Sequence, residues 1–175
     1  MANVSDFISK LKGGGARNNQ FKVTMPFPGY AAVGGETESM AFLCTATNLP
    51  QSEIGELTVN FRGRPIYMAG DRTFQTWTTT IINDTDFLIR NAIERWSNGI
   101  NNHSDNEGLV NPVDYQVDAF VDHLDRNGNT IKSYTFRGLF PTNIGQVDLT
   151  MEQATTLETF ECTWRYQYWE SNTTT

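Results

Sequence analysis

Cysteine, histidine and positive charge are scarce in this chain, and no long apolar run is present. The two cysteines, Cys44 and Cys162, make no disulfide framework. Both fall beside apolar or aromatic residues and are expected as buried free thiols. No apolar run approaches the ~20 residues of a membrane span, so no membrane association is expected. Met1–Leu11 lacks both the basic start and the continuous apolar core of a signal peptide. Thirteen Lys and Arg face twenty Asp and Glu, a net charge of −7 over 175 residues. Such a balance repels nucleic-acid phosphate rather than holding it, and the densest basic pair, Arg62 and Arg64, is too small for a binding groove.

Catalytic signatures are missing too. There is no nucleophile elbow, and the glycines at 13–15 are not followed by the Lys-Ser/Thr of a phosphate loop. His103-Ser104-Asp105-Asn106-Glu107 has metal-compatible side chains but no second histidine at a useful spacing. Asp125-Arg126-Asn127-Gly128-Asn129 resembles the start of a calcium loop, yet its twelfth position is Phe136 rather than a bidentate Glu. No catalytic residue, metal site or cofactor is expected, and both segments read as exposed loop and hairpin turn.

What is present is alternation. Phe21–Met25, Met40–Thr47, Leu57–Phe61, Ile66–Met68, Phe74–Ile82, Tyr115–His123, Ile131–Arg137 and Thr156–Trp169 read as strands. Tyr115, Val117, Ala119 and Val121 share one face, with Gln116, Asp118 and Asp122 on the other. In the last strand Phe160, Cys162, Trp164, Tyr166 and Tyr168 form a core face. The Asn-Gly pair at 127–128 predicts a tight hairpin. One long helix is expected over 84–98, opened by Asn83–Asp86 and stopped at Gly99, with Leu88, Ile89, Ala92, Ile93 and Trp96 at helical spacing. Residues 26–39 read as a loop, 51–68 as an extended hairpin arm, 1–18 as a flexible N-terminal segment and 171–175 as a frayed end. Val4–Leu11 could form two helical turns that need a partner surface. The fold class is mainly β with one central helix: two packed antiparallel sheets, a sandwich or barrel in a single domain.

Three blocks carry a resemblance: Ala69-Gly70-Asp71-Arg72-Thr73-Phe74 with Trp77; Gly138-Leu139-Phe140-Pro141-Thr142-Asn143-Ile144-Gly145; and Thr159-Phe160-Glu161 leading to Tyr168-Trp169-Glu170. Cys44–Pro50 is a weaker fourth. In order and spacing these resemble the tail tube proteins of contractile-tailed bacteriophages of the T-even type.

The resemblance implies a structural virion protein. Six copies make a ring whose joined strands form an inner β-barrel, and rings stack into a hollow tube within a contractile sheath, through which DNA passes. It implies the sheath protein, baseplate tube initiator and tail terminator as partners, a tape measure protein in the lumen, and assembly in the host cytoplasm. Alternatives are the baseplate tube initiator itself, or the tube of a DNA-free contractile injection or secretion system. Asp118 and Asp122 are the candidate lumen-facing, DNA-repelling residues. The apolar side chains of the arm, Leu57, Val59, Phe61 and Ile66, are the candidate ring-to-ring contacts.

Overall fold

The computed structural model of the chain describes residues 3–11, 13, 15–152 and 155–174. Nine strands are found there: β1 (Phe21–Thr24), β2 (Cys44–Thr47), β3 (Ser52–Phe61), β4 (Arg64–Phe74), β5 (Trp77–Ile82), β6 (Val117–Leu124), β7 (Thr130–Ile144), β8 (Thr159–Arg165) and β9 (Tyr168–Ser171). The helices are α1 (Val4–Lys10), α2 (Glu36–Leu43), α3 (Leu88–Ile100) and the single turn α4 (Pro112–Tyr115). Seven strands make one sheet, while β3 and β4 form a separate two-stranded ribbon. Every pairing is antiparallel.

The long strand β7 joins the two wings of the larger sheet. Its first part pairs with β6 and β9, and its last residues pair with β8. One wing therefore runs β1-β6-β7-β9 and the other β7-β8-β5-β2. The switch occurs at a bulge: Ala119 faces Phe136, but Val117 faces Leu139. Gly138 adopts φ +64 there, a left-handed conformation that favours residues without a Cβ. The extra residue lets Phe136 and Leu139 both turn inward, and both are fully buried.

One core lies between the wings and α3. Trp77 of β5 stacks on Phe136 of β7 at 4.4 Å between centroids, and Trp96 of α3 meets Trp164 of β8 at 5.6 Å. Each buried indole N–H of these three tryptophans finds an acceptor: Trp77 donates to Asn48 O, Trp96 to Tyr115 O and Trp164 to Thr79 Oγ1. Burying rings of this size stabilises the fold only because those polar ends are satisfied.

Several expectations need correction. The described residues hold four helices, not one. Residues 36–39 belong to no loop and Met40–Leu43 to no strand; together they form α2, because Glu, Met, Ala and Leu favour a helix once a start is supplied. Gly34 and Gly35, both at positive φ, supply it. The Glu36 carboxylate folds back to accept the N–H groups of Val33 (2.5 Å) and Gly34 (2.8 Å), and Met40 drops into the core.

The long helix starts at Leu88 rather than 84. Asn83–Asp86 shapes the preceding turn, and Asp84 Oδ1 accepts the Leu88 N–H at 3.0 Å. The helix runs through Gly99 to Ile100; the glycine makes room for the Tyr30 ring, from which a Cβ at this position would stand 2.3 Å.

The arm is also longer than 51–68. β4 continues to Phe74, with Gly70 inside it, next to a register shift between Ile54 and Glu56. The expected strand over 156–169 is broken at Tyr166 and Gln167, where Gln167 N donates to Arg137 O. Alternation flips there, so Tyr168 is exposed instead of facing the core. Ser171–Thr174 is tied down rather than frayed: Ser171 N donates to Thr174 Oγ1 and Lys132 Nζ to Thr173 Oγ1. Of the segments expected to be flexible, Met1, Ala2, Lys12, Gly14 and Thr175 lie outside the described residues.

Candidate functional site

Among the described residues three exposed surfaces stand out, and none is a pocket with convergent polar groups. A hollow of about 730 Å³ is an apolar groove between α2 and β1 lined by Phe21, Ala41, Phe42 and Leu124 among others. Among the described residues no three His, Cys, Asp or Glu side chains gather as a metal cluster. The Asp125 carboxylate is occupied within the hairpin turn, accepting the N–H groups of Asn127 and Asn129. Burial pushes the Cys44 thiol up to about 12 and the Cys162 thiol higher still, so neither is poised as a nucleophile.

The first surface is the ribbon β3–β4. It has no buried residue. Its register pairs Leu57 with Met68, Val59 with Ile66 and Phe61 with Arg64. Because side chains alternate along each strand, Leu57, Val59, Phe61, Ile66 and Met68 share one face, and all are exposed. All four arm residues singled out from the sequence thus come together, with Met68 a fifth that reading stopped short of naming. At the tip, the Arg62 guanidinium lies 5.3 Å from the Phe61 ring centroid.

The second surface is the outer face of the wing β1-β6-β7-β9. Register puts Lys22, Thr24, Asp118, Phe120, Asp122, Ser133, Thr135, Arg137, Tyr168 and Glu170 on this side, with Val23, Ala119, Val121 and Phe136 buried behind them. Asp118 and Asp122 share the face, but their surroundings differ. Asp118 Oδ1 accepts the Gly138 N–H at 3.0 Å, satisfying the bulge, and Asp118 Oδ2 meets Arg137 Nη1 at 2.5 Å. Arg137 also binds Glu170 at 3.0 Å. Asp118 first and Glu170 second raise the Arg137 guanidinium above its usual value. Asp122 makes no ion pair among the described residues; Lys22 is its cross-strand neighbour. Arg137 and Glu170 were missed in the sequence because their pairing depends on β9 returning beside β7.

The third surface is α1. Val4, Phe7, Ile8 and Leu11 recur at helical spacing, and all are exposed. The helix start is held by Asn3 N donating to Asp6 Oδ2.

With these surfaces in place, similarity to known proteins is informative. Residues 16–172 match the family described as phage tail tube protein. The chain belongs to that family. It is 34% identical over 168 residues to the tail tube protein of Serratia phage KSP90, covering 95% of each chain. It is 32% identical over 169 residues to tail tube protein gp19 of Enterobacteria phage T4, covering 95% of this chain and 99% of that one. The fold is similar to a chain of the sheath–tube complex of an extracellular contractile injection system, with TM-score 0.60, 11% identity and 98% and 99% coverage. It is also similar to a chain of the tube-terminating cap of the anti-feeding prophage, with TM-score 0.64, 14% identity and 90% coverage of each. Tail tube proteins are structural components of the virion tail, and this one is no enzyme.

Proposed function

We propose that six copies of this tail tube protein form a ring, that rings stack into the hollow inner tube of a contractile phage tail, and that phage DNA passes through it. The observation that carries the reading is the wing β1-β6-β7-β9. It has four antiparallel strands, a buried inner face, a polar outer face and two edge strands, β1 and β9, each with a strand neighbour on one side only. Exposed edges of this kind favour pairing with another chain.

The even strand number matters. Within the wing β1 and β9 run in opposite directions, so rotating copies about an axis along the strands joins β9 of one copy to β1 of the next antiparallel. Six copies then close a barrel of about 24 strands. At ~4.8 Å strand spacing and ~40° tilt, that barrel is roughly 45–50 Å across at the backbone, wide enough for a DNA duplex. The outer face of the wing becomes the lumen wall, with Asp118 and Asp122 on it.

That wall has an economical charge pattern. Two cations and three carboxylates lie on it per copy, and Arg137 is held by two of the acids. The net is about −1 per copy and about −6 per ring, far below six times the charge of the whole chain. With its arginine masked, its lysine beside Asp122 and its net charge negative, such a wall offers phosphates little to bind, so DNA can slide.

The apolar face of the arm, through Leu57, Val59, Phe61 and Ile66, docks one ring on the next, and the repeated contacts sum around the ring. The tube lies within a sheath, starts on a baseplate initiator, ends at a terminator and holds a tape measure protein until DNA enters; assembly takes place in the host cytoplasm. The reading as a phage tube rather than an injection-system tube is supported by relatives about one-third identical being phage proteins, whereas the injection-system likeness is one of fold.

Electron microscopy of the purified protein, with light-scattering mass on the same sample, is the first test. Six-fold rings or hollow tubes are expected; a protein that stays monomeric even with baseplates added refutes the reading. In tubes of Asp122→Cys, a small maleimide should label fully while a bulky polymer-linked maleimide is excluded. Equal labelling by both places residue 122 on the outside.

A further inference from the structure

Resting on the stacking reading above, we propose that α1 is the receptor for the arm: the apolar face of the β3–β4 ribbon of one copy seats on Val4, Phe7, Ile8 and Leu11 of a copy in the adjoining ring.

Both surfaces lack a partner within the described residues. Phe7 is 67% exposed and Phe61 58%, and neither α1 nor the projecting part of the ribbon buries a residue. A seven-residue helix is marginal without something to pack on, and a lone two-stranded ribbon is too. Each needs cover, and each offers the other what it lacks.

Their positions fit head-to-tail stacking. The segment after α1 enters β1 at the end of the wing where Leu124 N donates to Gln20 O, beside the turn at 125–129. The root of the arm lies at the other end. There Phe74 sits 6.2 Å from the Tyr166 ring, and Gln167 and Tyr168 lie against Arg137. If the strands run along the tube, α1 and the arm root belong to opposite faces of a ring. Translation along the axis then brings the arm of one copy towards α1 of another. Such a contact is heterologous and propagates without limit, as a tube requires.

The dimensions agree as well. Seven helical residues span about 10 Å, and Leu57 to Phe61 spans about 14 Å of strand. A helix lying on a two-stranded ribbon buries one apolar stripe against the other.

The test combines cross-linking with two charge insertions. Phe7→Cys is paired in turn with Leu57→Cys, Val59→Cys and Phe61→Cys. All four sites are exposed, and the native thiols are buried. A disulfide requires Cα atoms within about 7 Å, so at least one pair should give an oxidation ladder of dimers, trimers and longer chains from tubes and no ladder from dispersed rings. Phe7→Asp should leave rings intact while lowering tube yield at least tenfold. Val59→Asp tests the underlying stacking reading and should do the same. If Val59→Asp blocks stacking but Phe7→Asp tubes grow normally and no pair cross-links, α1 is not the receptor and only this inference falls. If Val59→Asp tubes also grow normally, the arm is not the stacking element and both fall.

Discussion

Arg137 is the one arginine on the proposed lumen wall among the described residues, and its two carboxylate partners hold it away from any passing phosphate. The double substitution Asp118→Asn and Glu170→Gln removes both partners and leaves the side-chain shapes nearly unchanged. The amide oxygen introduced at position 118 can still accept the Gly138 N–H that Asp118 accepts at 3.0 Å, so the bulge keeps its hydrogen bond. The ion pairs are partly exposed and contribute little to stability, so folding and ring formation should persist. The wall, however, changes sign, from about −1 to about +1 per copy, and a six-membered ring gains six free guanidinium groups.

If those six engage phosphates, the salt dependence of duplex binding has a slope near −0.9 per phosphate neutralised. Retention should then fall about 10³-fold between 50 and 200 mM salt. The assay is tube growth in the presence of a labelled duplex, followed by nuclease treatment and pelleting, with the parent protein alongside. Parent tubes should protect little DNA at either salt. Double-variant tubes should protect DNA at the lower salt and release it at the higher. If variant tubes form but protect no more DNA than the parent, or if the extra DNA is fully digested by nuclease, Arg137 does not line the lumen and the argument fails.

Three further perturbations test the fold beneath the surfaces. Burial alone would raise the Glu36 carboxyl, but the N–H groups of Val33, Glu36 and Gly34, with Arg95, outweigh it and hold it below its ordinary 4.5; this stability is present above the unfolded value and is lost as pH falls through the lower folded value. Glu36→Ala should therefore cost about 2–3 kcal/mol at pH 7, and the deficit in denaturant titrations should shrink as the pH falls below that ordinary value. Thr79→Val leaves the buried Trp164 N–H without its acceptor at 2.9 Å and should cost about 1–3 kcal/mol, whereas Thr79→Ser should recover most of it in thermal melts. Gly145→Ala would put a Cβ 2.6 Å from the Glu161 carbonyl, and overpacking against backbone should lower stability by about 1–3 kcal/mol, a Tm drop of roughly 3–10 °C.

The local pattern in the sequence determined which side of a strand faces the core, but not which strands are neighbours. Ala119 and Val121 turn inward and Asp118 and Asp122 outward, because alternation is a property of the pleat alone. The break at Gln167 could not be read that way: the run from Thr159 to Trp169 alternates smoothly, and only its change of partner along β7 reverses the facing of Tyr168 and Trp169. The helix α2 was hidden for a different reason. Its residues Met40–Leu43 run directly into the β-forming Cys44–Thr47, and the signal that separates them is Glu36 reaching back to Val33 and Gly34, a bond visible only once the turn is made.

The same distinction applies to charge. The whole-chain excess of acid suggested a repelling lumen, yet the face of the wing carries almost balanced charge, and the acids that dominate the total lie elsewhere, on the loop 101–111 and over 146–161, where Asp148, Glu152, Glu158 and Glu161 stand without a Lys or Arg. What keeps that face from holding a polyanion is the arrangement of the charges rather than their sum. Its arginine is already bound by two carboxylates, and its lysine lies beside Asp122 in the ladder. A phosphate would have to compete for Arg137 against Asp118, which is itself fixed by the Gly138 N–H. The bulge that bends β7 between the two wings therefore also positions the carboxylate that masks the arginine. Curvature and charge on the proposed lumen wall are thus coupled through one residue, and substitutions at Asp118 that remove its acceptor oxygen should disturb both.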